Sequence, residues 1–227
     1  MEIRTENIKK DFIRRGTGTN VYTAVKPTTI TLRAGTLIGI RGRSGSGKST
    51  LLNMIAGILK PSSGTVLYDE TDLYAMDDTG LSAFRNRHIG YIPQGSSAIS
   101  SLTIRENILL PQHLKKQDIR EEDTQKEADR LMEMLGIGHL ADEKPQNLSG
   151  GELKRMAIAR GMVLHPEVLL ADEPTADLDD ENTEVVFRMI QQYAGDGHCV
   201  LVVTHEDNIG IFADTLYRMD AGTLTES

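Results

Sequence analysis

The chain has 227 residues, 39% hydrophobic and 26% charged, which is enough to bury a sizeable core in one large domain or two small ones. A formal net charge of −8 argues against a broad nucleic-acid footprint, and one cysteine excludes an internal disulfide framework. No run approaches the roughly 18 consecutive apolar residues of a membrane-spanning helix, and Met1-Glu2-Ile3-Arg4 is polar and strand-like rather than a signal peptide.

Short β-rich apolar runs alternate with segments of helical period, which points to α/β architecture. Residues 3–8, 28–32 and 37–41 read as strands, and 49–58 carries apolar residues at helical spacing. Lys60-Pro61-Ser62-Ser63 marks a turn across 57–64, with a strand at 65–68. Residues 118–135 are strongly charged, with Ile119, Ala128, Leu131, Met132 and Leu135 spaced as one face of an amphipathic helix. After Gly151 the alternation resumes: a helix to about Leu164, a strand at 168–171, a helix at 181–193 and a strand at 199–203. Cys199 falls in that last apolar run and is expected to be a buried strand residue. The economical division is one α/β domain, 1–93 plus 148–227, with a helical insertion across roughly 94–147.

Gly42-Arg43-Ser44-Gly45-Ser46-Gly47-Lys48-Ser49-Thr50 fits the Walker A pattern between a predicted strand and a predicted helix. Its glycines let successive backbone N–H groups line a concave anion site, and the helix start adds a partial positive charge. Lys48 is expected to reach the β- and γ-phosphates of ATP, and the Ser49 hydroxyl to ligate Mg²⁺. Val168-Leu169-Leu170-Ala171-Asp172-Glu173 is an apolar strand ending in two acids at the carboxyl edge, where ligands of open α/β sheets bind. Asp172 would hold Mg²⁺ and Glu173 would polarise the attacking water.

Leu148-Ser149-Gly150-Gly151-Glu152-Leu153 opens a helix running through Arg155 and Arg160. A plain capping role accounts for Ser149 but not for the glycine pair, and a second anion site has no evident work within a subunit that already has a P-loop. Here the chain resembles the ABC ATPase family, whose signature is LSGGQ. The resemblance covers essentially the whole chain and implies a P-loop NTPase with a mixed-sheet core, an antiparallel β part and an inserted helical subdomain. It also implies a head-to-tail dimer in which Ser149, Gly150 and Gly151 of one copy press on the nucleotide of the other, with a homodimer expected.

Further motifs follow in order. Gln94, after Ile92-Pro93, resembles the Q-loop glutamine, which implies contact with Mg²⁺ and the water and a link to a transmembrane partner. Ala176-Asp177-Leu178-Asp179 resembles the D-loop, placing Asp179 near the nucleotide across the dimer. His205, after Val202-Val203-Thr204, resembles the switch histidine that contacts the γ-phosphate. For the adenine-stacking aromatic, Phe12 matches the family position and Tyr22 is the alternative. Three departures stand out: Glu152 where Gln is common, Ala176-Asp177 in the D-loop, and Pro93 where an aromatic is common, which bears on the reach of Gln94.

Leu102-Thr103-Ile104-Arg105-Glu106-Asn107-Ile108-Leu109-Leu110-Pro111, together with Leu170-Ala171-Asp172-Glu173-Pro174-Thr175, resembles the branch holding macrolide-efflux, lipoprotein-release, antimicrobial-peptide-resistance and cell-division ATPases. The resemblance implies an ATPase motor driving a separate integral membrane permease from the cytoplasmic face, with no nucleic acid as partner. The alternative is a soluble non-transport ABC ATPase, such as an iron–sulfur assembly or cell-division protein. A P-loop kinase would have no use for the signature helix.

Overall fold

The computed structural model describes residues 1–14, 20–95, 97–114 and 120–227. Strands β1 (Glu2–Arg14), β2 (Asn20–Thr28), β3 (Thr31–Arg33) and β4 (Thr36–Arg41) lead into helix α1 (Lys48–Ile55). Next come β5 (Ser63–Tyr68), β6 (Thr71–Asp72), α2 (Asp78–His88) and β7 (Ile89–Ile92), then helices α3 (Ile104–Leu114), α4 (Glu121–Met134) and α5 (Gly150–Met162). The remainder alternates β8 (Val168–Asp172), α6 (Asp180–Gly195), β9 (Cys199–Thr204), α7 (Ile209–Phe212), β10 (Thr215–Asp220) and β11 (Thr223–Glu226).

Among the described residues these strands form two sheets. One is antiparallel, in the order β2-β1-β5-β6 with β3 on β1; the other runs β11-β10-β4-β9-β8-β7 and is parallel from β10 to β7. Strands β8 and β9 are buried along their whole length because both faces of the parallel sheet are covered. Leu169, Ala171, Val200 and Val202 pack toward Ile108, Leu131 and Phe187, whereas Val168, Leu170, Leu201 and Val203 pack toward Leu51, Leu52, Ile55 and Val66. At about 1.5–3 kcal/mol for each fully buried aliphatic side chain, this two-sided burial is the main force holding the sheet. Cys199 is buried as expected; its thiol donates to Met1 O at 3.1 Å, and burial pushes its pKa up to about 11. No helix of the described residues is long and apolar enough to cross a membrane.

The structure revises several boundaries. Residues 28–32 are not one strand: β2 ends at Thr28 and β3 begins at Thr31. Thr5 makes the break, its N–H donating to Ile30 O and its hydroxyl accepting from Ile30 N. Strand β1 continues past Ile8 to Arg14 by pairing with β2 and β5 together. Helix α1 stops at Ile55, not Ile58, since the N–H groups of Ile58 and Leu59 both turn back to Asn53 O. Helix α2 escaped the sequence reading because it has no buried residue and so shows no apolar stripe. Helix α4 begins at Glu121; Asp118 and Ile119, included in the expected helix, lie outside the described residues.

Helix α5 lies against β7 with almost no side chain between them. A Cβ on Gly90 would fall 2.2 Å from Gly161 O, and one on Gly161 would fall 2.8 Å from Ile92 Cγ1. This contact sets the position of α5 against the strand that leads into Gln94.

Candidate active site

Strand register gathers the functional segments at one edge. Parallel pairing sets Arg41 of β4 beside Thr204 of β9, and Val203 of β9 beside Asp172 of β8. The segment after β4, the acids closing β8 and the residue after β9 therefore leave the sheet together. Backbone bonds fasten them: Gly42 N–H donates to Thr204 O at 3.2 Å, and Glu173 N–H donates to Val203 O at 2.8 Å.

The P-loop is folded tightly on its neighbours. Gly47 caps α1 with φ 108°, and Gly45 sits at φ 78°, both in the region that side chains resist. A Cβ on Gly47 would fall 2.3 Å from Ala24 O, and one on Gly42 would fall 2.3 Å from Met219 O. Lys48 is 5% exposed and donates to Gly42 O at 2.7 Å and Arg43 O at 3.2 Å. The Ser46 hydroxyl is buried with no hydrogen-bond partner among the described residues. Such an orphan costs about 1–3 kcal/mol, a penalty that an anionic oxygen in the loop would relieve.

The two acids occupy different settings. Asp172 Oδ1 accepts the Ser49 hydroxyl at 3.0 Å. Burial is the main cause that pushes its carboxyl above the usual aspartate range; the charge of Glu173 adds to this, while the Ser49 hydroxyl and the Lys48 and Lys154 ammonium groups oppose it. Glu173 is 6% exposed and has φ 48°, a left-handed backbone that costs a non-glycine residue about 1–2 kcal/mol. Its Oε2 accepts from Thr204 Oγ1 at 3.0 Å and His205 N at 3.1 Å, and lies 2.7 Å from His205 Nδ1. Its Oε1 lies 3.6 Å from Lys48 Nζ. A carboxylate is thus held, buried and oriented, beside a buried ammonium at the mouth of the loop.

Phe12 and Tyr22 stand directly opposite each other in the β1–β2 pairing. Both line the cleft of about 310 Å³ that also includes Ser44, Gly45, Gly47, Lys48, Ser49, Thr50, Gln94 and Glu173. The sequence reading posed these two aromatics as alternatives, and the structure puts both on the wall. Lys10 Nζ lies 5.4 Å from the Phe12 ring centroid. Gln94 reaches the cleft despite Pro93. His205 meets Glu173 rather than lining the cleft, and Asp179 caps α6, its Oδ1 accepting from Asn182 N at 2.8 Å. Sequence reasoning missed Thr204, whose hydroxyl is fully buried and aimed at Glu173; only its place at the end of an apolar strand hinted at it.

The ABC transporter family model matches residues 25–176. The chain belongs to the ABC transporter family. The lipoprotein-releasing system ATP-binding protein LolD of Myxococcus xanthus is 32% identical to this cassette over 222 residues, 97% of each chain. The macrolide export ATP-binding/permease protein MacB of Shewanella sp. is 35% identical over 209 residues, 91% of this cassette; the cassette spans 32% of that protein's length. A dimeric post-hydrolysis state of the ATP-binding cassette MJ0796, bound to ADP and Pi, superposes with a TM-score of 0.90 at 32% identity, covering 99% of this chain and 98% of that one. The cassette is therefore an ATP-binding ATPase with the family's mixed α/β fold.

The cassette's signature segment lies outside its own cleft. Ser149 caps α5 in a reciprocal box: its hydroxyl accepts from Glu152 N at 3.3 Å, and Glu152 Oε2 accepts from Ser149 N at 2.7 Å. Capping is thus present, and Glu152 places a carboxylate in the first turn, where it also suits the helix dipole. The hydrogen bond from the Ser149 backbone is the main cause holding the Glu152 carboxyl below its usual range. Gly151 has a structural use as well, since a Cβ there would fall 3.2 Å from Asp177 O.

Proposed function

We propose that this cassette is the motor subunit of a membrane transporter, closing head-to-tail on a second copy around ATP and driving a separate permease. One observation carries the reading: Glu173 is buried beside Lys48 in a cleft that the chain's own Ser149, Gly150 and Gly151 do not line. A second copy would supply those groups to complete the site. The P-loop amides of Gly42, Ser44, Gly45, Ser46, Gly47 and Thr50, with Lys48, would hold the phosphates, and Phe12 and Tyr22 would flank the base. Asp179 would sit near the dimer seam.

The donor set fits Mg²⁺: Ser49 Oγ and Asp172 Oδ1 are hard oxygens 3.0 Å apart, and Gln94 adds an amide oxygen near the same cleft. Once bound, the ion would neutralise charge on the phosphates. Glu173 would accept the proton of the attacking water, while Lys48 and His205 stabilise charge as it develops.

The partner reading draws on the relatives and on one surface. A groove of about 370 Å³ lies between α2, β7, α3 and α5, lined by Ile58, Tyr91, Leu110, Leu114 and Leu164 together with Arg85, Arg87 and Arg160. A largely apolar groove there would seat a permease segment, placing the cassette on the cytoplasmic face, within the LolD- and MacB-like branch. The division into a core, 1–93 with 148–227, and a helical subdomain, 94–147, follows the same reading.

The test is Glu173→Gln with ATP, followed by size-exclusion chromatography with light scattering and by capture from detergent-solubilised native membranes. A stable ATP-dependent dimer that recovers an integral membrane protein in stoichiometric amount is expected. A monomer with ATP, or wild-type turnover by the variant, would overturn the site reading; recovery of only soluble proteins would overturn the permease reading.

A further inference from the structure

Lys154 lies on α5, five residues past Ser149, and is 2% exposed. A lysine so buried ordinarily has a carboxylate partner, yet among the described residues it forms no ion pair within 4.0 Å. Its Nζ donates instead to two consecutive backbone carbonyls, Pro93 O at 3.0 Å and Gln94 O at 2.7 Å. Asp172, Asp177 and Glu173 favour the ammonium from farther away, against the burial that pulls its pKa down. Its hydrogen bonds are thus spent on the backbone of the segment that carries Gln94.

We propose that Lys154 is a positioning residue: its ammonium fastens the Pro93–Gln94 backbone to the signature helix, so that Gln94 moves with α5. The proposal deepens the site reading above, because it takes Gln94 as a group that acts in the cleft. The geometry favours a positioning role over simple packing, because the two bonds fall on the adjacent carbonyls of Pro93 and Gln94 rather than on a distant element. A fixed donor with two acceptors sets both the distance and the rotation of the segment about α5. A signature helix drawn toward a partner's nucleotide would bring Gln94 along, coupling the two ends of the composite site.

The experiment combines amide hydrogen exchange with ATPase kinetics on the full chain, for wild type, Lys154→Met, Lys154→Arg and Gln94→Ala. The Met variant keeps the apolar stem and removes the donor; the Arg variant restores a donor able to reach two carbonyls. In Lys154→Met, exchange of amides 94–98 is expected to rise at least tenfold while α5 stays protected. Its kcat should fall about tenfold with the KM for ATP changed less than threefold, since the Lys48 cradle is untouched. Lys154→Arg should recover most of both properties. Unchanged exchange at 94–98 in Lys154→Met, or kcat and KM degraded together without rescue by Arg, would overturn the proposal. Gln94→Ala separates the two layers: wild-type turnover there removes Gln94 from the site reading, while the exchange result still decides whether Lys154 holds the segment.

Discussion

Two P-loop glycines are required for different physical reasons, and substituting each by alanine separates them. At Gly42 a Cβ would lie 2.3 Å from Met219 O, 0.7 Å inside the 3.0 Å that Cβ contacts essentially never breach. The opposing atom is backbone in β10, whose register is set by Arg218 pairing with Arg41 of β4, so it has little room to yield. Overpacking of this kind sits at the upper end of its usual range, about 3 kcal/mol or more. In a chain of this size that lowers Tm by about 6–12 °C. At Gly45 a Cβ meets nothing within 4 Å among the described residues, and the penalty is the left-handed backbone at φ 78°. That is about 1–2 kcal/mol, or about 2–8 °C. Thermal unfolding without nucleotide, followed by circular dichroism, should therefore place Gly42→Ala below Gly45→Ala. Nucleotide binding should be hit harder at Gly42 too, because Lys48 rests on the Gly42 carbonyl. If Gly42→Ala melted within 2 °C of wild type, or above Gly45→Ala, the close approach of β10 to the P-loop would not be what demands glycine there.

Three further outcomes are expected. Because burial raises the Asp172 carboxyl, it takes up a proton on acidification before an ordinary aspartate would, so Mg²⁺-dependent ATP affinity should fall at pH values above 3.8. The stability linkage has the opposite sign: a raised carboxyl favours the folded state at low pH, an advantage lost as pH rises through the raised value. Calorimetric titration against pH should show the affinity loss in wild type and not in Asp172→Asn. Phe12→Ala and Tyr22→Ala should each weaken ATP and ADP equally, by about 1–3 kcal/mol if each ring stacks on the base, and a fluorescent-nucleotide displacement that separates ATP from ADP would refute this. Thr204→Val should lose about 1.5–3 kcal/mol of stability, the worth of a hydrogen bond to a charged group, together with several-fold of turnover. Thr204→Ser should keep both, as chemical denaturation and phosphate release would report.

The parts of the site that the sequence made legible are those where one residue type does a job few others can. The glycines of the P-loop, the acids closing an apolar strand and the histidine after the next strand all announce themselves by type and place. The structure adds why they meet, since the register of β4, β8 and β9 aligns their carboxyl ends. What stayed hidden depended on irregular pairing or on burial against expectation. The Phe12–Tyr22 pairing needs β2, a strand that pairs with β1 through shifts in register. Lys154 reads as an exposed helical lysine in any one-dimensional pattern, and only the packing of α5 on β7 buries it. The Ser149–Glu152 box was written plainly in the sequence, four residues long, but the glycines between its ends drew the interpretation toward phosphate.

Sheet order also bears on how this protein is made. The strand that launches the P-loop, β4 at Thr36–Arg41, has as its two neighbours β9 at Cys199–Thr204 and β10 at Thr215–Asp220. During synthesis β4 emerges early and waits for about 160 residues before either partner exists, a long delay for non-local pairing. A partly translated chain can begin to assemble its antiparallel sheet, because β1, β2, β3 and β5 are close in sequence. It cannot seat Gly42 against Thr204 or bring Glu173 to Lys48. Completion of the site thus comes as a late event in biogenesis, since a chain that ends before β9 lacks the strand that fastens the P-loop beside Glu173.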